Sequence, residues 1–110
     1  MDRDPWLAKW LPLIQKKSAG GHVLELGCGR GWDTADLLSA GCRVIATDIS
    51  TGNLGECTKS VPDASLVQMD NGKPFPFADH SLPVIIASLS LHYFSWDVTL
   101  RIASELRRCL

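Results

Sequence analysis

The stretch at positions 23–31, Val-Leu-Glu-Leu-Gly-Cys-Gly-Arg-Gly, decides the fold class of this 110-residue chain. Its first four residues form a short apolar run with one carboxylate, which predicts a buried strand. Three glycines follow at alternate positions, and glycine lets a backbone approach a ligand with no Cβ in between. In open α/β sheets, ligands bind beyond the carboxyl ends of the strands. We therefore predict a ligand crevice directly after this strand.

Helix and strand patterns alternate on either side of this stretch. We predict an N-terminal helix over 4–17, which Pro12 should end or kink. The elements predicted after the glycines are a helix over 32–40, a strand over 42–48, a weak helix over 50–59, strands over 65–69 and 84–89, and a helix after Ser95. Strands that alternate with helices indicate βαβ units, so we predict an α/β fold with a parallel sheet and helices on both of its faces.

Composition and charge exclude several classes of function. The chain is 45% apolar and 21% charged, which suits one globular domain. Eleven Lys and Arg against twelve Asp and Glu give a formal net charge of −1, so no general positive field attracts nucleic acid or an anionic membrane. The apolar runs are far shorter than the roughly 20 residues that a membrane-spanning helix needs. The sequence thus gives no strong signal for nucleic acid as a partner, and we expect no membrane partner.

The cysteines and histidines show no pattern typical of a metal site. The four cysteines, Cys28, Cys42, Cys57 and Cys109, include no Cys-x-x-Cys pair, and the three histidines are scattered. We therefore expect no metal. The N-terminus has no secretory signal pattern, so we expect free thiols and a cytoplasmic location.

The spacing of the glycines bears on the kind of cofactor. A dinucleotide site typically has Gly-x-Gly-x-x-Gly, whose last glycine allows a helix and a strand to pack closely. Counted from Gly27, that last position is Trp32, which argues against NAD. The carboxylate of Glu25, two residues before the glycines, suits a ligand with an ammonium group better than a pyrophosphate.

The motif at 23–31 resembles the first motif of the class I S-adenosylmethionine-dependent methyltransferases. The resemblance continues in register through 48–50, 69–70 and 87–93, and covers roughly residues 20–110. It implies a Rossmann-like sheet, with about four of the family's seven strands present, and S-adenosylmethionine as the cofactor, with S-adenosylhomocysteine as product. It further implies methyl transfer to an unidentified acceptor, with this chain supplying the cofactor-binding half. A small-molecule acceptor is slightly favoured over a macromolecule. The alternative is a non-catalytic module that binds a nucleotide or S-adenosylmethionine.

The resemblance also implies which residues bind the cofactor. They are Glu25, Gly27, Cys28, Gly29, Asp48, Ile49, Asp70, Asn71, Ser88 and Leu89. The first three positions of the glycine loop, 27–29, would lie against the methionine and ribose parts, with Glu25 near the amino group. Cys28 is expected to fill space rather than to act as a nucleophile.

The remaining implied contacts follow the other strands. Asp48 would accept hydrogen bonds from both ribose hydroxyls, since an ionised carboxylate has acceptor sites for two donors. Ile49 would pack on the adenine, Asp70 would face its exocyclic amine with Asn71 beside it, and residues 88–89 would line the pocket below the sulfonium. Each of three residues also has an interpretation without a ligand, and it stays open. Asp48 and Asp70 are then ordinary turn residues, and Ser88 is a core residue.

Several residues outside the cofactor motif are also interpreted from the sequence. Trp6 and Trp10 lie one helical turn apart, either on a core-facing stripe or with one ring near the sulfonium through cation–π attraction. The catalytic residue is unknown, and His92 is a weak candidate for a general base. The arginines of the last helix, Arg101, Arg107 and Arg108, are expected on a solvated face.

We predict one domain over 1–110, truncated relative to the family, with the helix at 4–17 and the cofactor-binding core at 22–110. In the family's strand order the fourth strand would then be an edge of the sheet. It is apolar and carries no lysine, so its unpaired backbone groups would favour self-association.

Overall fold

The computed structural model describes residues 6–87 and 94–110. Its elements in chain order are a 3-10 turn Ala8–Trp10, α1 Leu11–Lys17, β1 His22–Leu26, α2 Trp32–Ser39, β2 Arg43–Asp48, α3 Thr51–Ser60, β3 Ser65–Gln68, β4 Val84–Ala87 and α4 Trp96–Cys109. The elements after the glycines begin and end within one or two residues of their predicted positions. The predicted end of β4, residues 88–89, lies outside the described residues.

The N-terminal helix differs from the prediction of one helix that Pro12 ends or kinks. The structure has a 3-10 turn followed by α1, and Pro12 is the second residue of α1. In the first turn of a helix a backbone N–H has no partner within the helix, so proline costs no hydrogen bond there. Pro12 therefore begins a helix instead of interrupting one.

The four strands form one parallel sheet in the order β3-β2-β1-β4. In β1, Val23 pairs with Val44 on one side and with Val84 on the other. The strand order changes direction between β1 and β4, and a crevice opens at the carboxyl ends of strands at such a point. Among the strands of the described ranges, β4 lies at the edge, as predicted.

Helices cover both faces of the sheet. Side chains alternate along a strand, so Val23 and Leu24 point to opposite faces. The cluster on the first face, with α1, α2 and α3, includes Ile14, Val23, Leu37, Val44 and Cys57. The cluster on the second face, with α4 and the loop at 71–82, includes Leu24, Leu26, Phe75, Ile102 and Cys109. The predicted α/β class with a parallel sheet is confirmed.

Arg108 connects α4 to the loop at 71–82. Its guanidinium donates hydrogen bonds to the Phe77 carbonyl oxygen (2.8 Å), the Phe75 carbonyl oxygen (3.0 Å) and Asp79 Oδ1 (2.8 Å). It also donates to Glu105 Oε2 at 2.7 Å, and Glu105 Oε1 accepts from the Phe75 N–H at 2.6 Å. The expectation of a solvated face is thus wrong for Arg108, because the loop folds back over the end of α4 and leaves its side chain 32% exposed.

Candidate functional site

The glycine loop turns sharply between β1 and α2. The Cys28 N–H donates to the Thr47 carbonyl oxygen (2.8 Å), which continues the parallel ladder for one residue, and the Gly31 N–H donates to the Cys28 carbonyl oxygen (2.9 Å). Gly29 and Gly31 have φ values of 55° and 90°, a region that residues with a Cβ rarely adopt. The turn therefore requires glycine at both positions.

Gly29 and Gly31 differ in what surrounds them. A Cβ on Gly31 would lie 2.8 Å from Cys57 Sγ and 2.9 Å from Val61 Cγ2, so the absence of a side chain lets α2 start close against α3. A Cβ on Gly29 would meet no atom within 4 Å. The loop thus packs tightly at its end and has open space beside its middle.

Asp48 connects the end of β2 to this loop. Its Oδ2 accepts a hydrogen bond from the Gly29 N–H (3.1 Å), and its Oδ1 accepts from the Ser50 N–H (2.9 Å). Asn53 Nδ2 lies 3.4 Å from Oδ2. Asp48 therefore accepts hydrogen bonds both within its own turn and from the glycine loop, and its role toward a ribose stays a prediction.

Glu25 is buried in β1 with only 2% of its surface exposed. The Thr34 hydroxyl of α2 donates a hydrogen bond to its Oε1. Burial raises the pKa of Glu25 to about 7 from an ordinary 4.5; the Thr34 bond acts in the opposite direction, and the negative charges of Asp33 and Asp48 add to the rise. Near neutral pH, Glu25 is therefore balanced between its charged and neutral forms.

Cys28 is a buried thiol in the loop, 6% exposed. Burial raises the pKa of its thiol, and the neighbouring Cys57 and Glu25 raise it further. Since the thiolate is the reactive form, this environment disfavours nucleophilic chemistry. The structure agrees with the expectation that Cys28 fills space.

The other predicted contact residues within the described ranges lie at the same edge of the sheet. Ile49 follows β2 and is 60% exposed. Asp70 follows β3, and its Oδ1 accepts from the Gly72 N–H at 2.8 Å. Asn71, next in the chain, is half-buried. Asp70 thus closes a tight turn, and its contact with the adenine stays a prediction.

Ser88, Leu89 and His92 lie outside the described residues, so their predicted roles stay predictions. Of the two N-terminal tryptophans, Trp6 donates from Nε1 to Asp33 Oδ2 at 3.1 Å, and Trp10 is 45% exposed. The core-facing interpretation is therefore wrong for both rings.

Two residues of the site escaped the sequence prediction. Thr34 is buried beside Glu25, and Asp33 receives the hydrogen bond from Trp6. Thr34 lies three residues before Leu37 on the apolar face of α2, and a polar side chain on an apolar face requires a buried partner. That position is the signal that could have identified Thr34. Asp33 gives no such signal, because its partner is 27 residues away.

The described part of the chain contains neither a cluster of metal ligands nor a membrane-spanning helix. No three His, Cys, Asp or Glu side chains there are placed to bind one metal ion. No helix within residues 6–87 and 94–110 is long and apolar enough to cross a membrane.

Comparison with known proteins assigns the family. Residues 23–110 match the family model described as a methyltransferase domain. The chain belongs to the class I S-adenosylmethionine-dependent methyltransferases. The demethylmenaquinone methyltransferase of Beutenbergia cavernae is 37% identical over 76 residues, a match that covers 69% of this chain and 31% of that protein. The chain thus spans about a third of the length of this relative.

Solved methyltransferase structures share the fold. An S-adenosylmethionine-dependent methyltransferase from Mesorhizobium loti superposes with a TM-score of 0.75 at 23% identity, over 94% of this chain and 48% of that one. The glycopeptide N-methyltransferase MtfA, solved in complex with S-adenosylmethionine, gives a TM-score of 0.75 at 22% identity, over 93% of this chain and 45% of that one. At these identities the likeness establishes the fold alone.

Proposed function

We propose that this methyltransferase-family protein binds S-adenosylmethionine at the carboxyl edge of its sheet and transfers the methyl group to an acceptor. One observation carries the proposal: the glycine loop is joined to Asp48 through the Gly29 N–H (3.1 Å), with open space beside Gly29. A ligand can therefore lie against backbone and a carboxylate at the same time.

The described residues fit this cofactor at its amino-acid end. Glu25 is buried beside the loop, and the charges acting on it, those of Asp33 and Asp48, are both negative. An ammonium group would relieve this imbalance. We assign the methionine and ribose parts to the backbone of 27–29 and the amino group to Glu25.

The adenosine end is assigned to the residues that follow β2 and β3. Asp48 would accept hydrogen bonds from the ribose hydroxyls, in exchange for part of its present bonding to Gly29 and Ser50. Ile49 offers an exposed apolar side chain for the adenine face. Asp70 and Asn71 would face the adenine edge.

When bound, the cofactor supplies a methyl group already activated on a sulfonium. The chain's own contribution is then to position the two reactants and to exclude water. Residues 88–89 are proposed to line the pocket, and His92 stays the weak candidate for a base. No general base is required by this chemistry, because the methyl donor is already electrophilic.

The acceptor is proposed to be a small molecule. Support comes from the relative that acts, by its name, on demethylmenaquinone. Binding of S-adenosylmethionine without transfer is the second candidate function, because the contacts proposed for Glu25, Asp48 and Ile49 are all with the cofactor. We also propose a cytoplasmic location, which the four free thiols support. Self-association through β4 is proposed as well, and the position of β4 at the sheet edge supports it.

Calorimetric titration with S-adenosylhomocysteine tests the proposal. Asp48→Ala should weaken binding by about 1–3 kcal/mol, roughly 5- to 150-fold, because hydrogen bonds to a charged acceptor are lost. Asp63→Ala, the same change at an exposed position before β3, is the control and should bind like the unaltered protein. Unchanged affinity in a folded Asp48→Ala variant would remove Asp48 from the site, and tighter binding of NAD would replace the cofactor assignment.

Transfer itself is separated from binding by a second measurement. Protein incubated with S-adenosylmethionine and demethylmenaquinone should form S-adenosylhomocysteine faster than protein without the quinone. Binding of the cofactor with no such acceleration would favour the non-catalytic module over transfer to this class of acceptor.

A further inference from the structure

Glu25 is a buried carboxyl group, and the charges that act on it from the described residues are negative. Within those residues its side-chain hydrogen-bond partner is the neutral Thr34 hydroxyl. The titratable groups that act on it are Asp33 of α2 and Asp48 of β2, and it acts in turn on the Cys28 thiol of the loop. The thiol of Cys57 in α3 lies 4.0 Å from Thr34 Oγ1. None of these groups carries a positive charge.

A buried carboxyl group of this kind is stable either when it is protonated or when it is paired with a cation. An isolated buried carboxylate is costly, so it takes up a proton or it pairs with a cation. No cation of residues 6–87 and 94–110 acts on Glu25, so without a ligand the proton is its remaining partner. A ligand with an ammonium group changes this, because its charge can take the place of the proton.

We propose that Glu25 is protonated in the ligand-free protein and loses this proton when the ammonium group of S-adenosylmethionine or S-adenosylhomocysteine binds. The O–H bond of the carboxyl group breaks, the proton passes to a buffer base in the solvent, and the carboxylate pairs with the ammonium. This inference rests on the proposed function, since it assumes that the cofactor's amino group binds beside Glu25.

The pH at which the release is largest follows from two groups. The pKa of Glu25, about 7, leaves it mostly protonated at pH 6 before binding. The ligand's α-amino group, with an ordinary pKa of about 7.7–8.0, is fully charged at pH 6 and takes up no proton of its own. At pH 6 the proton release therefore comes from Glu25 and has no contribution from the ligand's α-amino group.

The experiment is calorimetric titration of the whole chain with S-adenosylhomocysteine at pH 6.0 in MES and in Bis-Tris, buffers with different protonation enthalpies. The difference in observed enthalpy gives the number of protons released. We expect roughly 0.5–1 proton for the unaltered protein, and none for Glu25→Gln. Asp36→Asn, the same kind of charge change one helical turn beyond Asp33, is the matched control and should release protons like the unaltered protein.

Asp33→Asn gives a test that leaves Glu25 in place, in case Glu25→Gln fails to fold. Removal of the Asp33 charge lowers the pKa of Glu25, so fewer protons should be released at pH 6.0 than by Asp36→Asn. Equal release by the two asparagine variants would overturn the inference.

The remaining outcomes distinguish this inference from the proposed function. Binding of S-adenosylhomocysteine with equal enthalpies in both buffers would overturn proton release and leave the proposed function standing. Release with S-adenosylmethionine but not with S-adenosylhomocysteine would assign the effect to the sulfonium and overturn the role of the ammonium. No binding of either ligand by the unaltered protein would overturn the proposed function itself.

Discussion

At the scale of single residues, Glu25 couples the stability of the fold to pH. Its pKa is about 7 in the folded protein and close to 4.5 in an unfolded chain, where it is exposed to water. Between these values the folded protein binds a proton that the unfolded chain has lost. The free energy of unfolding should therefore fall as pH rises from about 4.5 to about 7, and this contribution should level off above that range.

The size of the effect is on the order of 2–3 kcal/mol across this pH range. Urea unfolding of the unaltered protein and of Glu25→Gln at a series of pH values would measure it, since glutamine has no proton to lose. Asp36→Asn should keep the pH dependence of the unaltered protein. Parallel curves for the unaltered protein and Glu25→Gln would mean that Glu25 titrates at its ordinary pKa.

The same residue illustrates how far sequence reasoning reaches. A carboxylate within an apolar strand beside three glycines identifies Glu25 as a functional candidate, because burial of a lone charge is costly. The sequence does not place Asp33 or Thr34 beside it, since the rotation of α2 about its axis depends on packing. The apolar strand thus predicts the burial that raises the pKa of Glu25, and the structure adds the neighbours that modify this rise.

At the scale of elements, α4 and the loop at 71–82 depend on one arginine. Arg108 donates to two backbone carbonyl oxygens of that loop, those of Phe75 and Phe77, and to Glu105 on its own helix. It holds the pKa of the Glu105 carboxyl below its ordinary value through their hydrogen bond. The loop begins directly after Asp70, so its position bears on one of the proposed adenine contacts.

We expect Arg108→Met to lower the midpoint of thermal unfolding by several degrees, because the Phe75 and Phe77 carbonyl oxygens and Glu105 Oε2 lose the donor that Arg108 supplies. Arg107→Met, at the exposed neighbouring position, should change the midpoint far less. Differential scanning calorimetry of both variants makes the comparison. Equal midpoints for the two would show that the Arg108 contacts contribute no stability.

Elements differ in how well their sequence predicts them. The strand β1 and the helix α4 follow from local pattern, and the Ser95 side chain caps α4 by accepting from the Val98 N–H. The prediction that Pro12 ends or kinks a helix is wrong, because a proline that interrupts a helix and one that starts a helix are flanked by the same kind of sequence. The Arg108 contacts join residues about 30 positions apart, beyond the reach of any local pattern.

At the scale of the whole molecule, β4 is the edge strand of the described sheet. Its residues, Val84–Ala87, carry no charge, and an apolar edge with unpaired backbone groups is prone to pair with another chain. The proposed self-association should therefore appear as a sedimentation coefficient that rises with protein concentration.

A pair of lysine substitutions locates the contact. Val84→Lys, at the start of β4, should restore a monomer, because a charge opposes pairing at a sheet edge. Leu100→Lys, at an exposed apolar position of α4, should associate like the unaltered protein. A monomer at every concentration, or a monomer caused by Leu100→Lys alone, would contradict association through β4.

The fold class and the arrangement of this sheet are predictable from sequence for a physical reason. Alternating strands and helices with right-handed crossovers leave few possible topologies, and the glycines after β1 mark the carboxyl edge. Which of Asp48 and Asp70 contact the glycine loop is not predictable in this way. Both follow strands, yet in the structure only Asp48 accepts from a loop glycine, whereas Asp70 closes its own turn.

The central position of β1 has a consequence for how the chain folds. Its residues pair with β2 about 20 positions further along the chain, but with β4 about 60 positions further. Pairings distant in sequence form late, because the intervening chain must be ordered first. On a ribosome, β1, β2 and β3 are all made before β4 exists, so of the four described strands β4 is the last to join the sheet. A nascent chain thus acquires the crevice between β1 and β4 only after β4 has been made.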